Sequence, residues 1–155
     1  MVNVLNIHDI GERGCNDCYK ELEKTFRTSS VHINSRNYDF ASEHPAHIFL
    51  ECMASGPYDL IVGKGFGAVL ALLVGRATGR RTILVNPMYP VQRYLPLEMP
   101  NYPFKNMLYE AEHWEICWDL DHHSLSNVFL ILGRDDDVTD AERTPAYFVE
   151  GHSFF

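Results

Sequence analysis

The chain has 155 residues, of which 46% are hydrophobic and 22% charged, a composition typical of one ordinary globular domain. Thirteen Lys and Arg against 21 Asp and Glu give a formal net charge of −8, which disfavours nucleic acid and anionic membrane surfaces as partners. No apolar run reaches the ~18 residues that a membrane span needs, and the N-terminus lacks the basic region of a signal peptide. With its four cysteines interpreted as free thiols, we expect a cytoplasmic protein.

The spacing of apolar residues predicts alternating strands and helices through the first third of the chain. Asn16 or Asp17 is the expected N-cap of the first helix, and Pro45 is tolerated in the first turn of the second. The predicted elements are a strand at 2–7, a helix at 17–26, a strand at 31–34 and a helix at 43–53.

The middle of the chain has the clearest pattern. A strand at 58–62 is followed by a glycine-rich turn at 63–67, an apolar helix at 68–78 and a strand at 81–85. Strand, helix and strand within about 30 residues form a βαβ unit, which requires parallel pairing.

The last third begins with an irregular segment rich in proline and tyrosine. We interpret 88–118 as a small cap or pocket-lining insertion, in which Tyr89 and Tyr94 would line a pocket. We therefore expect one domain over 1–155 of the α/β class, a three-layer sandwich with a mostly parallel sheet. The remaining predicted elements are a helix at 108–118, a strand at 127–132, a helix at 139–147 and a strand at 148–149.

The glycine-rich turn between strand and buried helix has two common uses. One is anion binding at the helix N-terminus. The other is the nucleophile elbow G-x-S-x-G, in which a strained serine stands above the sheet between two small residues. Gly63 and Gly67 occupy the small positions, and Gly65 stands where the serine would be.

Other loops agree with the elbow interpretation, because hydrolases of this kind follow the order nucleophile, acid, base. The predicted strand at 127–132 is followed by three aspartates, Asp135 to Asp137, and the last predicted strand by His152. His8 and Asp9 follow the first strand, in the loop that would supply an oxyanion N–H.

These motifs resemble those of the small α/β-hydrolases of the YqiA esterase type. The resemblance implies a minimal α/β-hydrolase (Rossmann-like) fold and a cytoplasmic serine esterase that acts on short acyl esters without cofactor or metal. It depends on Asn6-Ile7-His8, the segment 60–72, Ile83 to Pro87, Gly133 to Val138 and Gly151 to Phe154.

Carried over to this sequence, the resemblance implies that Asp136 is the acid, with Asp135 or Asp137 as alternatives, and that His152 is the base. The nucleophile corresponds to Gly65, which has no side chain, and the family's His-Gly is here His8-Asp9. The implied oxyanion donors are the N–H of Phe66 and that of Asp9 or Ile10. The implied pocket residues are His8, Lys64, Asn86, Tyr89 and Tyr94.

Without a hydroxyl at position 65, no acyl-enzyme can form there. We therefore expect a degenerate hydrolase. Any remaining activity would be hydrolysis of a small ester by a water held by His152, with an intact oxyanion hole. The alternative is a module that binds a small ester or carboxylate, or a protein partner such as a second copy of the chain in a homodimer.

Three weaker motifs offer competing interpretations. Gly63-x-Gly65-x-x-Ala68 matches a dinucleotide fingerprint, but Asn86 stands where an acidic residue should bind the ribose. Cys15 and Cys18 have the spacing of a redox pair, yet Asp17 between them would raise their pKa values. The run 119–123 contains metal-ligating residue types without a defining spacing, so we expect no metal site.

Overall fold

The computed structural model describes residues 1–27, 30–88 and 126–133, and the backbone of 152–154. Strands and helices alternate as predicted through the first 88 residues. The elements are β1 (Val2–Ile7), α1 (Asp17–Thr25), β2 (Val31–Asn34), α2 (Pro45–Ala54), β3 (Leu60–Lys64), α3 (Phe66–Thr78), β4 (Arg81–Val85), β5 (Val128–Ile131) and β6 (His152–Phe154).

The six strands form one sheet in the order β2-β1-β3-β4-β5-β6, and every neighbouring pair is parallel. Right-handed crossovers place α1 on one face of this sheet and α2 and α3 on the other, and α2 packs beside α3. The prediction of a three-layer α/β fold with a parallel sheet is therefore confirmed.

The first two helices begin at side-chain caps. The Asn16 side chain accepts the Tyr19 N–H at 3.0 Å, so Asn16 rather than Asp17 is the N-cap. The second helix begins at Pro45, two residues later than predicted, because Nδ1 of His44 caps it by accepting the Ala46 N–H at 3.1 Å. A proline in the first helical turn loses no hydrogen bond.

The glycine-rich turn is shorter than predicted. Gly63 and Lys64 continue β3, where they pair with β4, and α3 begins at Phe66 instead of residue 68. Gly65 alone reverses the chain, with φ 55° and ψ −119°. This left-handed region is strained for residues with a side chain.

Close approach between α3 and the sheet requires glycine on the helix. A Cβ at Gly67 would lie 2.3 Å from the carbonyl oxygen of His8. The core between these layers is aliphatic, and burial of each such side chain contributes about 1.5–3 kcal/mol. Fully buried members include Leu5, Ile7, Ile48, Ile61, Leu70, Leu84 and Leu130.

The last strand lies later in the chain than expected. We predicted a strand at 148–149 with His152 in the loop after it, but His152 is the first residue of β6. It is paired with Phe129 and is thus within the sheet.

Several predicted features lie outside the described residues: the helices at 108–118 and 139–147, the strand at 148–149 and all of the cap at 88–118 except Met88. Within the described ranges, no helix is both long and apolar enough to cross a membrane.

Candidate active site

The candidate site lies where the strand order reverses. β1 and β3 are adjacent in the sheet, yet their following segments lead away in opposite directions, to β2 and to β4. In open α/β sheets such a switch point leaves a crevice outside the carboxyl ends of the strands, and ligands bind there. The loop after β1, which begins with His8 and Asp9, meets the Gly65 turn at this crevice.

The Asp9 carboxylate occupies the space that a side chain at position 65 would need. An ideal Cβ on Gly65 would stand 2.0 Å from Cγ of Asp9 and 2.1 Å from each carboxylate oxygen. A hydroxyl oxygen bonded to that Cβ would thus overlap the carboxylate.

The same carboxylate occupies the expected oxyanion hole. Oδ1 of Asp9 accepts the N–H of Phe66 at 2.9 Å and the N–H of Ile10 at 2.7 Å. Phe66 is the first residue of α3, where an unpaired N–H and the helix dipole favour negative charge. The resemblance left the N–H groups of Asp9 and Ile10 as alternatives for the second oxyanion donor. The N–H of Ile10 shares its acceptor with the N–H of Phe66, because both donate to Oδ1 of Asp9.

Burial and hydrogen bonding have opposite effects on the pKa of Asp9. Burial raises the pKa of the Asp9 carboxyl above its ordinary value, and it outweighs the hydrogen bonds from Phe66 and Ile10, which act in the opposite direction. Lys64 and Glu12 form an ion pair beside it. Burial alone would raise the pKa of Glu12, but its hydrogen bond from Lys64 holds that pKa below the ordinary value.

His8, one of the implied pocket residues, has a fully buried side chain. Its Nε2 accepts the Tyr38 N–H at 2.8 Å. Nδ1 therefore carries the proton and donates it to the Asp9 carbonyl oxygen at 2.7 Å. His8 thus ties the loop that bears Asp9 to the chain at Tyr38 through both of its ring nitrogens.

Asn86 joins two strand ends. It has φ 43°, its N–H donates to Ile131 at 2.9 Å, and its Oδ1 accepts the Gly133 N–H at 2.7 Å. These contacts explain why an asparagine, which tolerates left-handed backbone, stands there. The predicted pocket residue Asn86 is thus a link between β4 and β5.

The backbone position of His152, the implied base, follows from the sheet register. Through the sheet register, His152 is level with Val62, three residues before Gly65. At about 3.3 Å per residue, its backbone lies about 10 Å below the turn along the strand direction. The role of His152 as base stays a prediction. We expected this residue in a loop after a strand, whereas its backbone begins β6. Asp135, Asp136, Asp137, Tyr89 and Tyr94 lie outside the described residues.

A cleft of about 620 Å³ adjoins the loop after Asp9. One wall comes from the loop itself, with Ile10 and Arg13, and the other from Tyr38 and Phe40. The Phe40 ring packs edge-on against Phe66, with centroids 5.1 Å apart, which connects the cleft to the start of α3. The sequence analysis did not identify Tyr38 and Phe40 as residues of a cleft. The only feature of the sequence that could have indicated them is that two aromatic residues follow the second strand.

The structure offers little support for the dinucleotide, redox and metal interpretations of the weaker motifs. The first N–H of α3, which a dinucleotide phosphate would use, is bound to Asp9. Burial raises the pKa of Cys18, and Asp17 acts in the same direction, which disfavours a reactive thiolate. In the described part of the chain no cluster of three or more His, Cys, Asp or Glu is placed to bind a metal, and the run 119–123 lies outside it.

Comparisons with known proteins identify the fold. No family model matches the chain, and no curated protein matches it by sequence. Among solved structures, the ydeN gene product of B. subtilis is 15% identical with a TM-score of 0.63, covering 99% of this chain and 84% of that one.

Two further solved structures resemble the chain to a similar degree. A monoacylglycerol lipase from Paleococcus ferrophilus is 11% identical with a TM-score of 0.60, covering 98% of this chain and 83% of the lipase. A carboxylesterase from Nitrososphaera gargenis is 13% identical with a TM-score of 0.60, covering 99% of this chain and 80% of the esterase. The chain therefore has an α/β-hydrolase fold.

Proposed function

We propose that this chain is a hydrolase-fold protein that has lost serine-esterase catalysis and retains the switch-point crevice as a site for a small ligand. The observation that carries the proposal is the Asp9 carboxylate, which fills both the space of a nucleophile at position 65 and the oxyanion hole. The narrower assignment to YqiA-like esterases is part of this proposal and is supported by the motifs quoted above.

Acyl transfer by a serine hydrolase needs a hydroxyl nucleophile and free N–H donors for the oxyanion of the tetrahedral intermediate. Gly65 supplies no hydroxyl. Oδ1 of Asp9 uses the N–H groups of Phe66 and Ile10, and its negative charge would repel a developing oxyanion. Residual catalysis after loss of a triad depends on an intact oxyanion hole, so even weak ester hydrolysis is not expected.

Hydrolysis of p-nitrophenyl acetate and butyrate tests this proposal. The wild-type protein and the Asp9→Asn variant should both be indistinguishable from buffer. Asp9→Asn is the matched control, because an asparagine keeps the shape of the side chain and removes its charge. Wild-type turnover above the buffer rate would overturn the proposal, and a loss of that turnover in Asp9→Asn would place the hydrolysis at this site.

The cleft beside Asp9 favours a ligand that combines an apolar body with a carboxylate. The half-buried Ile10 lines the cleft together with the almost fully buried Tyr38 and Phe40, and Arg13 lines it without an ion pair to any described residue. An arginine beside apolar side chains suits a carboxylate whose chain packs on those side chains. The neighbours named as a lipase and a carboxylesterase support a ligand of the fatty-acid or ester class.

Calorimetric titration with hexanoate tests this binding. We expect saturable binding that Arg13→Gln weakens about tenfold, the loss typical of one charge-assisted contact. Arg80→Gln is the control, because Arg80 is also exposed but follows α3 at the opposite end of the strands. Equal affinities in the wild type and Arg13→Gln would contradict the assignment of the carboxylate to this cleft.

A further inference from the structure

The strand β2 lies at one edge of the sheet, where β1 is its neighbour among the described strands. An edge strand presents backbone N–H and C=O groups to which another strand can add, and proteins protect such edges with charged side chains, proline or a bulge. The segment Val31-His32-Ile33-Asn34 contains no Lys, Arg, Asp, Glu or Pro. It also pairs residue by residue with β1, without a bulge. Apart from being short, β2 is therefore an unprotected edge.

The pairing with β1 determines which backbone groups of β2 face outward. The N–H of Val2 donates to the carbonyl oxygen of Ser30 at 2.8 Å, and Val2 is paired in register with Val31. In a parallel ladder, a residue makes its hydrogen bonds with the two residues that flank its registered partner. The backbone groups of Ser30 and His32 thus face β1. Because these groups alternate along a strand, the N–H and C=O of Val31 and Ile33 face away from the sheet.

We propose that β2 is a dimerisation edge, at which a second copy of this chain adds its own β2 in antiparallel orientation about a two-fold axis at His32. The two sheets then form one continuous sheet. In this register Val31 lies opposite Ile33 of the second copy, and the two residues exchange both of their N–H···O=C bonds. The symmetry repeats this pair on the other side of the axis. His32 lies opposite His32 of the second copy, as a pair without mutual backbone hydrogen bonds.

The occupant is a second copy because β2 meets its own requirements for a partner. Val31 and Ile33 are half-buried and share one face of the sheet, whereas His32 is exposed on the other face. An added strand must therefore place apolar residues opposite Val31 and Ile33, with a polar residue between them. The segment Val31-His32-Ile33 does so when it runs in the opposite direction. Although each chain has a net charge of −8, no charged residue lies in β2, so no like charges face each other in the added pair.

The length of the strand determines how strongly the two copies associate. β2 has four residues, whereas a stable interface takes about 20–30 residues from each partner. The dimer is therefore weak, and its population depends on protein concentration. The proposal goes beyond the proposed function and does not depend on it, because no residue of β2 lines the cleft beside Asp9.

Cysteine cross-linking of the full chain tests the register. His32→Cys places two cysteines directly opposite each other, with Cα atoms about 4.5 Å apart, which a disulfide can span. Ser30→Cys is the matched control, because Ser30 is exposed at the same edge but its two copies would lie about 13 Å apart along the strands. With Cys15 and Cys18 replaced by serine in both variants, diamide should link His32→Cys into dimers about tenfold faster than Ser30→Cys. Equal rates, or no cross-link at position 32, would overturn the proposal.

Sedimentation velocity at protein concentrations from about 10 µM to 1 mM, the range of weak association, tests the edge without cross-linking. The mean mass of the wild type should rise from that of one chain toward that of two. Val31→Pro should weaken association about tenfold or more, because proline removes an outward N–H and leaves the ladder with β1 intact. Val31→Ile keeps that N–H and should associate like the wild type. A wild type that stays monomeric, or a dimer that Val31→Pro leaves unchanged, would overturn the proposal.

Discussion

Cγ of Asp9 lies 2.0 Å from the point where a Cβ on Gly65 would stand. The two residues are thus mutually dependent, since the carboxylate fits only because position 65 is glycine. The resemblance to esterases implies the reverse arrangement, a glycine in the loop after β1 and a serine at the turn. Two features that appear independent in the sequence, the glycine at 65 and the aspartate at 9, therefore depend on each other.

This mutual dependence predicts a strong coupling between positions 9 and 65. Gly65→Ser should lower the free energy of unfolding by about 2–4 kcal/mol, because φ is 55° there and the new Cβ displaces the carboxylate. Adding Asp9→Gly should recover about 1–3 kcal/mol of that loss. Urea unfolding of the wild type, both single variants and the double variant measures the coupling, and strict additivity would contradict it.

Gly67 should tolerate no side chain. A Cβ there would lie 2.3 Å from the His8 carbonyl oxygen and 2.5 Å from that of Ile7, and both are backbone atoms that cannot swing away. Gly67→Ala should therefore cost about 3 kcal/mol or more, as in severe overpacking. Gly11→Ala is the control, because a Cβ there meets nothing within 4 Å and only its positive φ costs about 1 kcal/mol. Thermal unfolding should rank the two variants in this order.

His8 should matter for stability through its two hydrogen bonds. His8→Phe would leave the Tyr38 N–H without its acceptor at 2.8 Å in a buried place, which costs about 1–3 kcal/mol. His47→Phe, at an exposed site on α2, should change the free energy of unfolding by less than about 0.5 kcal/mol. Denaturant unfolding of the two variants compares them, and equal small effects would mean that the imidazole does not hold the Asp9 loop.

The pKa of Asp9 predicts a pH-dependent difference in stability. Because burial raises this pKa above 3.8 in the folded protein, the folded state binds more protons than the unfolded chain between the two pKa values. The contribution of Asp9 to stability is present below 3.8 and is lost as pH rises through the folded pKa. The Asp9→Asn variant lacks this loss, so its stability relative to the wild type should increase with pH across that window.

Glu12→Gln is the control of opposite sign for this titration. The pKa of Glu12 is lowered from 4.5, so Glu12 contributes stability above 4.5 that is lost as pH falls through its folded pKa. The stability of Glu12→Gln relative to the wild type should therefore decrease with rising pH. Urea unfolding from acidic to neutral pH measures both differences, and parallel slopes for the two variants would contradict the assigned directions.

The local sequence was sufficient for most of the described secondary structure. Strands such as Val2–Ile7 and Arg81–Val85 follow from short β-branched runs, and the start of α1 follows from the N-cap residue Asn16. Errors arose where a glycine belongs to a regular element. Gly63 and Gly67 indicated a turn, but the first lies in a strand and the second in a helix, since both allow the close approach of α3 to the sheet.

By itself, the sequence determined the α/β class, the parallel sheet and the position of the elbow, because apolar periodicity and glycine spacing are local properties. Only the tertiary structure decided what fills the site. Asp9 and Gly65 are far apart in the chain, and they meet because β1 lies beside β3 in the sheet. His152 lies in β6 and not in the expected loop for a similar reason. The register of a strand depends on pairing between distant residues, here His152 and Phe129, and no local pattern encodes that pairing.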